Sequence, residues 1–186
     1  MPDKITLRYA EIRDYESVYR WLFFSDFSEF LKQAEGGSAD SLPSFEEFKH
    51  DYLPYFFDGT APEKGRSYII RLNDNDDIGH ISYTSFHLLE NITEFDIWLS
   101  GLKFTGKSYG TSAISILAEQ VFSAGYQKII IRPAKNNLRA IKSYQKAGFQ
   151  YTDLIPEHYY KPEFIDLYAR GDSGMGNDVF LTLVRE

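Results

Sequence analysis

An acid set in an apolar run is the first residue here that could do chemistry. Asp96 interrupts Phe95-Asp96-Ile97-Trp98-Leu99. A carboxylate among apolar side chains is a candidate general base, because burial raises its pKa toward the range where it accepts protons near neutrality. Alternation leaves a second orientation open, with Phe95 and Ile97 inward and Asp96 in solvent. Glu94 is the reserve base, and a bulge is expected to be needed to bring it to the face of Asp96. Downstream, Lys103-Phe104-Thr105-Gly106-Lys107-Ser108-Tyr109-Gly110-Thr111 combines small residues with two lysines. A short loop of this kind entering a helix aims unpaired backbone N–H groups outward, where the helix dipole favours an anion such as phosphate. Two glycines alone equally mark an ordinary turn, and it is the flanking pattern that favours phosphate. Tyr144 is the third candidate. It follows Asn137 by seven residues and Ala140 by four, so the three share one helical face. A phenol there is either a proton donor or a packed aromatic.

The elements that must position these residues follow from periodicity. Ala113, Ile114, Leu117, Ala118, Val121 and Phe122 form the apolar stripe of a helix that Gly125-Tyr126 ends. Ile129-Ile130-Ile131 reads as a buried strand. Asn136-Asn137 opens a second helix from Leu138 to Ala147, closed by Gly148. Upstream, Ile5 to Tyr9 is a strand, and Asp14 is a candidate N-cap for a helix carrying Val18, Trp21 and Leu22. A short helix over Phe27 to Gln33 precedes a flexible break at residues 36–41. Ser44 and Glu47 form a capping box for a helix bearing Phe45, Phe48 and Tyr52 and reaching Phe56. That aromatic stripe is either core or the wall of an acceptor site. Ser67–Leu72, Ile78–Thr84 and Asn91–Leu99 are expected to make an antiparallel meander, with a turn at Asn73–Asp77. The segment Pro156–Asp178 is long for a loop and suits a specificity loop or a dimer contact. Val179–Val184 is the last strand.

Composition bounds the function. With 186 residues and 43% hydrophobic content, the chain is globular and long enough for one core. It has no cysteine, which excludes a thiol nucleophile, a disulfide framework and thiolate metal sites. The start lacks a leader pattern and no run of about 18 apolar residues occurs, so a cytoplasmic protein is expected. Residues 1–100 carry nine Lys or Arg against nineteen Asp or Glu, whereas residues 103–146 carry eight Lys or Arg and one acid, Glu119. One half suits a cationic partner and the other an anionic one. An overall charge of −7 argues against nucleic acid. The acids at 73–77 lack the glycine and closing Glu of a calcium loop, and no histidine pair has ligand spacing, so no metal is expected. His80 and His87 read as strand histidines facing a partner or solvent.

The run Thr105 to Thr111 resembles the acetyl-CoA pyrophosphate loop of the GNAT N-acetyltransferases. Asn136 to Phe149 resembles that family's second signature. Phe95-Asp96-Ile97, Pro133-Ala134-Lys135-Asn136-Asn137 and Asp153 to His158 are similar to the aminoglycoside 6'-N-acetyltransferases in particular. The likeness is strong over residues 93–158, general over 1–92 and faint over 159–178. It implies an α/β (α+β) GNAT fold, with a mixed, mostly antiparallel sheet splayed at its central strands and helices on both faces. It implies one domain over 1–186, divided into an acceptor-side half (1–92), an acetyl-CoA-binding core (93–158) and a loop with the final strand (159–186). The activity implied is direct acetyl transfer from acetyl-CoA to a small cationic amine, most simply an aminoglycoside, with antibiotic resistance as the associated role. Polyamines, a siderophore hydroxylysine, a protein N-terminus and a non-catalytic acyl-CoA sensor are the alternatives, and the chain is expected as a monomer or homodimer. By the resemblance Asp96 is the base, Tyr144 the acid for the leaving thiolate, and Asn137 the holder of the pantetheine arm. Cofactor contacts are expected from Trp98, Leu99, Lys103, Thr105, Gly106, Lys107, Ser108, Tyr109, Gly110, Thr111, Asn136, Asn137, Ala140, Tyr144 and Lys146. A backbone N–H at Trp98 or Leu99 would serve the oxyanion. Asp26, Glu29, Asp153 and Asp166 are expected to meet the acceptor's ammonium groups. Two departures stand out. The usual loop has glycine at the place of Ser108 and arginine or glutamine at that of Thr105. Ser108 must therefore avoid positive φ or carry about 1 kcal/mol or more of strain.

Overall fold

Alternating apolar residues and tight turns build the first half of a seven-stranded sheet. β1 (Ile5–Tyr9), β2 (Gly65–Leu72), β3 (Asp76–Thr84) and β4 (Ile92–Leu99) pair antiparallel in that order; β2 to β4 are the expected meander, and β1 adds to its edge. The computed structural model describes residues 3–35, 42–168 and 177–185. The expected break at 36–41 and the run from Arg170 through the glycine-rich stretch to 176 lie outside them. At the β2–β3 turn Asn73 and Asp74 take φ values of 54° and 61°, a left-handed conformation that Asn and Asp tolerate better than most residues. Two of the three acids there have structural partners. Asp74 accepts from Lys4 and Thr6, and Asp77 from Arg8 and Arg71.

The sheet opens where it turns parallel. β4 pairs with β5 (Lys128–Ile131) only from Ile92 to Glu94, opposite Lys128 to Ile130. Beyond that point the strands part, which is the expected central splay. β7 (Leu181–Val184) then pairs antiparallel with β5 and with β6 (Gln150–Tyr151), giving the order β1-β2-β3-β4-β5-β7-β6. Both terminal strands are shorter than the runs Phe149–Asp153 and Val179–Val184 that their apolar pattern suggests.

Strands β2 and β4 each feed two cores, as period-2 alternation allows. Ile70, Ile81, Phe95 and Leu99 pack with Ala113, Ile114, Leu117 and Val121 of helix α5 (Tyr109–Ser123). Ile69 and Trp98 point to the opposite face. There they join Tyr15, Val18, Phe48, Phe56 and Phe57 from α1 (Tyr15–Phe24), α3 (Phe45–Asp51) and α4 (Tyr55–Asp58). Each such side chain taken from water contributes roughly 1.5–3 kcal/mol. Helix α2 (Asp26–Glu35) follows α1, and α6 (Leu138–Lys146) and α7 (Ile165–Tyr168) lie in the second half. Helices therefore cover both faces.

Two local expectations change. The stripe from Phe45 to Phe56 is two helices, not one. Leu53 precedes Pro54, which disfavours helical backbone at Leu53 and removes a donor. Asp14 makes no side-chain cap for α1. Its carboxylate instead accepts a two-pronged bond from Arg8 at 2.7 and 2.8 Å and one from the Glu11 amide at 2.8 Å. Burial works to raise the Asp14 carboxyl, but these partners outweigh it and hold it below its ordinary value.

Candidate active site

The splay between β4 and β5 opens a cleft of about 1130 Å³ running from the loop before α5 to the aromatic helices α3 and α4. Its loop end is built as expected. Leu102–Phe104 makes a 3-10 turn, and Thr105 donates its hydroxyl back to the Leu102 carbonyl at 2.7 Å. Gly106 then takes φ 73°, and a Cβ built there would meet nothing within 4 Å. That side of the loop is thus an open cradle at the N-terminus of a 15-residue helix, the arrangement that binds phosphate. Ser108 does not avoid the left-handed region: it sits at φ 64°, ψ 10° and carries the strain its Cβ implies.

Helix α6 closes this end. Asn137 caps it through a bond from the Ala140 amide at 3.2 Å, so its carbonyl oxygen already has a backbone partner. Asn137, Ala140 and Tyr144 all face the cleft, as their spacing requires. Tyr144 is buried, with its ring near Phe149 at 6.3 Å between centroids. Thr111 and Ser143 link α5 to α6 by a 2.8 Å hydroxyl pair. Arg139 was not anticipated. Its Nη1 donates to Thr105 Oγ1 at 2.7 Å while its guanidinium lies over the Phe30 ring, bringing a cation to a loop position that carries none of its own.

The expected cofactor residues divide. Trp98, Leu99, Thr105, Gly106, Ser108, Tyr109, Gly110, Thr111, Asn137, Ala140, Tyr144 and Lys146 line the cleft. Lys103 and Lys107 line a separate hollow of about 410 Å³ together with Asp76 and Asp77. Asn136 lines neither. The hydroxyl of Tyr109 is held by Asp3. Pairing to β5 stops at Glu94, so the edge of β4 from Phe95 to Leu99 is open toward the cleft.

Asp96 lies at mid-cleft. It is exposed rather than buried, so burial is not what would tune it. It nevertheless faces the cleft and not bulk surface, because Tyr52 donates its hydroxyl to Oδ2 at 3.0 Å. Tyr52 is itself placed by Tyr15, whose hydroxyl binds the Tyr52 carbonyl at 2.6 Å. The aromatic stripe is therefore both core and wall: Phe48, Phe56 and Phe57 are buried, while Tyr52 and Tyr55 are half-exposed on the cleft.

No bulge is needed to bring Glu94 to the face of Asp96. The register runs unbroken from Thr84↔Glu94 to Ser82↔Asp96, and residues two apart share a face. Glu94 binds His87 Nε2 at 3.0 Å through Oε2 and Arg132 Nε at 2.6 Å through Oε1. Burial acts to raise this carboxyl, yet the His87 bond and the Arg132 charge outweigh it and hold it below its ordinary value. Arg132 also donates to the Tyr168 carbonyl at 2.6 Å, tying α7 to the cleft wall. Neither histidine faces solvent. His87 stacks on Tyr168 at 4.6 Å, and His80 is fully buried against Trp98 at 4.3 Å. The acids expected to meet the acceptor do not line the cleft. Asp26 accepts from the Leu102 amide, and Glu29, Asp153 and Asp166 are exposed elsewhere. Among the described residues the carboxylates lining the cleft are Asp51, Glu94 and Asp96.

The model of the acetyltransferase (GNAT) domain matches residues 4–150 of the chain. The chain belongs to the GNAT acetyltransferase family. Two aminoglycoside N(6')-acetyltransferases of type 1, from Klebsiella pneumoniae and Serratia marcescens, are each 30% identical to it over 159 residues, which cover 80% of this chain and 75% of theirs. Among solved structures, aminoglycoside acetyltransferase AAC(6')-Ib in complex with coenzyme A is similar over 98% of this chain and 95% of its own, with a TM-score of 0.69 at 23% identity. Spermidine N-acetyltransferase from Vibrio cholerae, in complex with CoA and spermine, covers 97% of this chain and 95% of its own at a TM-score of 0.67 and 17% identity. At these identities the structures speak for the GNAT fold alone.

Proposed function

We propose that this GNAT N-acetyltransferase moves the acetyl group of acetyl-CoA to a primary amine of an aminosugar-type acceptor, a 6'-amino aminoglycoside foremost. The observation that carries the reading is Asp96, held by Tyr52 on the floor of the cleft within the same cavity as the Gly106–Thr111 cradle and Tyr144. Acetyl-CoA supplies an activated thioester. The α5 N-terminus with Gly106, Ser108 and Thr111 would hold its pyrophosphate, with Arg139 and Lys146 adding charge. A protonated amine cannot attack, and Asp96 would take its proton, directly or through one water. Of the two candidate oxyanion donors, the Leu99 N–H lies on the open edge of β4, where it is offered to the acyl oxygen as charge develops, while Trp98 pairs with His80 of β3. Tyr144 would give its phenolic proton to the departing thiolate. Residues 1–92 thereby supply the aromatic wall of the acceptor end, residues 93–158 the cofactor end, and α7 closes the side. A cytoplasmic role in antibiotic resistance fits this chemistry and the 30% identical relatives.

The test is thiol release from acetyl-CoA with kanamycin, tobramycin, spermidine, hydroxylysine and short peptides. Turnover confined to the 6'-amino aminoglycosides is expected. Turnover of another amine alone would replace the acceptor, and no turnover with acetyl-CoA still bound would remove the enzyme reading of this site.

A further inference from the structure

Strand β4 (Ile92–Leu99) turns two carboxylates to the cleft, Glu94 and Asp96, about 7 Å apart by strand geometry. Two such anions would read two ammonium groups on one acceptor. Glu94 is not available for that. Both oxygens of Glu94 are engaged, by Arg132 Nε at 2.6 Å and His87 Nε2 at 3.0 Å. Arg132 cannot swing away. Its Nη1 is bonded to the Tyr168 carbonyl at 2.6 Å, its guanidinium lies 5.9 Å from the Tyr160 ring centre, and its side chain is only 8% exposed. The wall of the cleft on the β5 side therefore carries Glu94 within a fixed ion pair, with its charge offset by Arg132.

We propose that the Arg132–Glu94 pair is a specificity determinant of the acceptor site: it selects an amine whose neighbouring group, about one sugar ring from the reacting nitrogen, is a hydroxyl or other neutral group, and disfavours a second ammonium there. Further ammonium groups are directed to the other end, where Asp51 lines the cleft. The inference rests on Asp96 as the carboxylate that meets the reacting amine. A charge held within several ångströms in a partly desolvated cleft is worth at least a factor of ten in affinity.

Kanamycin A and kanamycin B differ only in a hydroxyl or an ammonium at the 2' carbon of the ring that bears the 6' amine. Their affinities for the coenzyme A-loaded protein, measured by calorimetry, give a ratio that does not depend on turnover. The unmodified protein is expected to favour kanamycin A. Arg132→Gln, which frees the Glu94 charge, should move the ratio about tenfold toward kanamycin B. The double variant Arg132→Gln with Glu94→Gln removes both charges and should return the ratio to its original value, separating charge from packing. Thermal melting and coenzyme A affinity check that each variant is folded. A ratio that stays within twofold across all three proteins overturns this inference alone. Failure of every form to bind either kanamycin overturns it together with the acceptor reading.

Discussion

Asp96 gains its meaning from one hydroxyl. Strand alternation alone leaves it an ordinary solvated acid, but Tyr52 reaches it from the end of a helix 44 positions away in the chain and fixes it toward the cleft. Asp96→Asn keeps the shape and removes the proposed base, so kcat is expected to fall by about 10²- to 10⁴-fold with coenzyme A affinity unchanged by calorimetry. A loss of less than threefold would place the base elsewhere. Ser108 is a second single-residue matter. At φ 64° its Cβ costs about 1 kcal/mol, and Ser108→Gly should raise the melting temperature by about 2–4 °C. A lower melting temperature would mean that the serine is held there by contacts worth more than the strain.

The elements matter through where they stop. β4 and β5 part after three paired residues, and the candidate cleft is the gap they leave. Helix α3 ends before Pro54, so Tyr52 falls at its C-terminus (φ −96°, ψ 80°) rather than in mid-helix. The start of α3 is set by the capping box, in which the Glu47 amide donates to Ser44 Oγ at 3.2 Å and the Ser44 amide to Glu47 at 2.7 Å. Ser44→Ala should cost about 1 kcal/mol in urea unfolding. It should also raise KM for the amine more than it lowers kcat, because the helix that carries the proposed acceptor wall is loosened. An equal change in both parameters, or no change in stability, would contradict that coupling.

At the scale of the whole molecule, acid sensitivity follows from one buried histidine. His80 has neither ring nitrogen hydrogen-bonded, and burial pushes its imidazole down from 6.5 to about 3. The folded chain keeps it neutral while the unfolded chain takes up a proton, so the unfolded state binds more protons below about pH 6.5. Its contribution is thus fully present above that pH and is lost progressively as pH falls toward 3, by up to about 1.4 kcal/mol per unit. Between pH 7.5 and 5.0 the protein should lose at least about 1 kcal/mol more than His80→Leu in urea titrations. Equal losses in the two proteins would show that His80 is protonated or solvated when folded.

Periodicity and turn chemistry were enough to place β1, the meander, α5, α6 and the Gly106–Thr111 cradle, because those signals are local: a stripe, a cap or a glycine acts within a few residues. The candidates Asp96 and Tyr144 were also legible, one as an acid in an apolar run and the other by helical spacing. What only the tertiary structure decided is which side chains meet. Tyr52 on Asp96, Arg139 on Thr105 and Arg132 with His87 on Glu94 are contacts between residues 7 to 44 positions apart, and no period or motif encodes them. The pairing of Glu94 shows why this matters for function. The sequence supplies the carboxylate, but whether it is offered to a substrate or neutralised within the wall depends on how two diverging strands and a short helix pack around it.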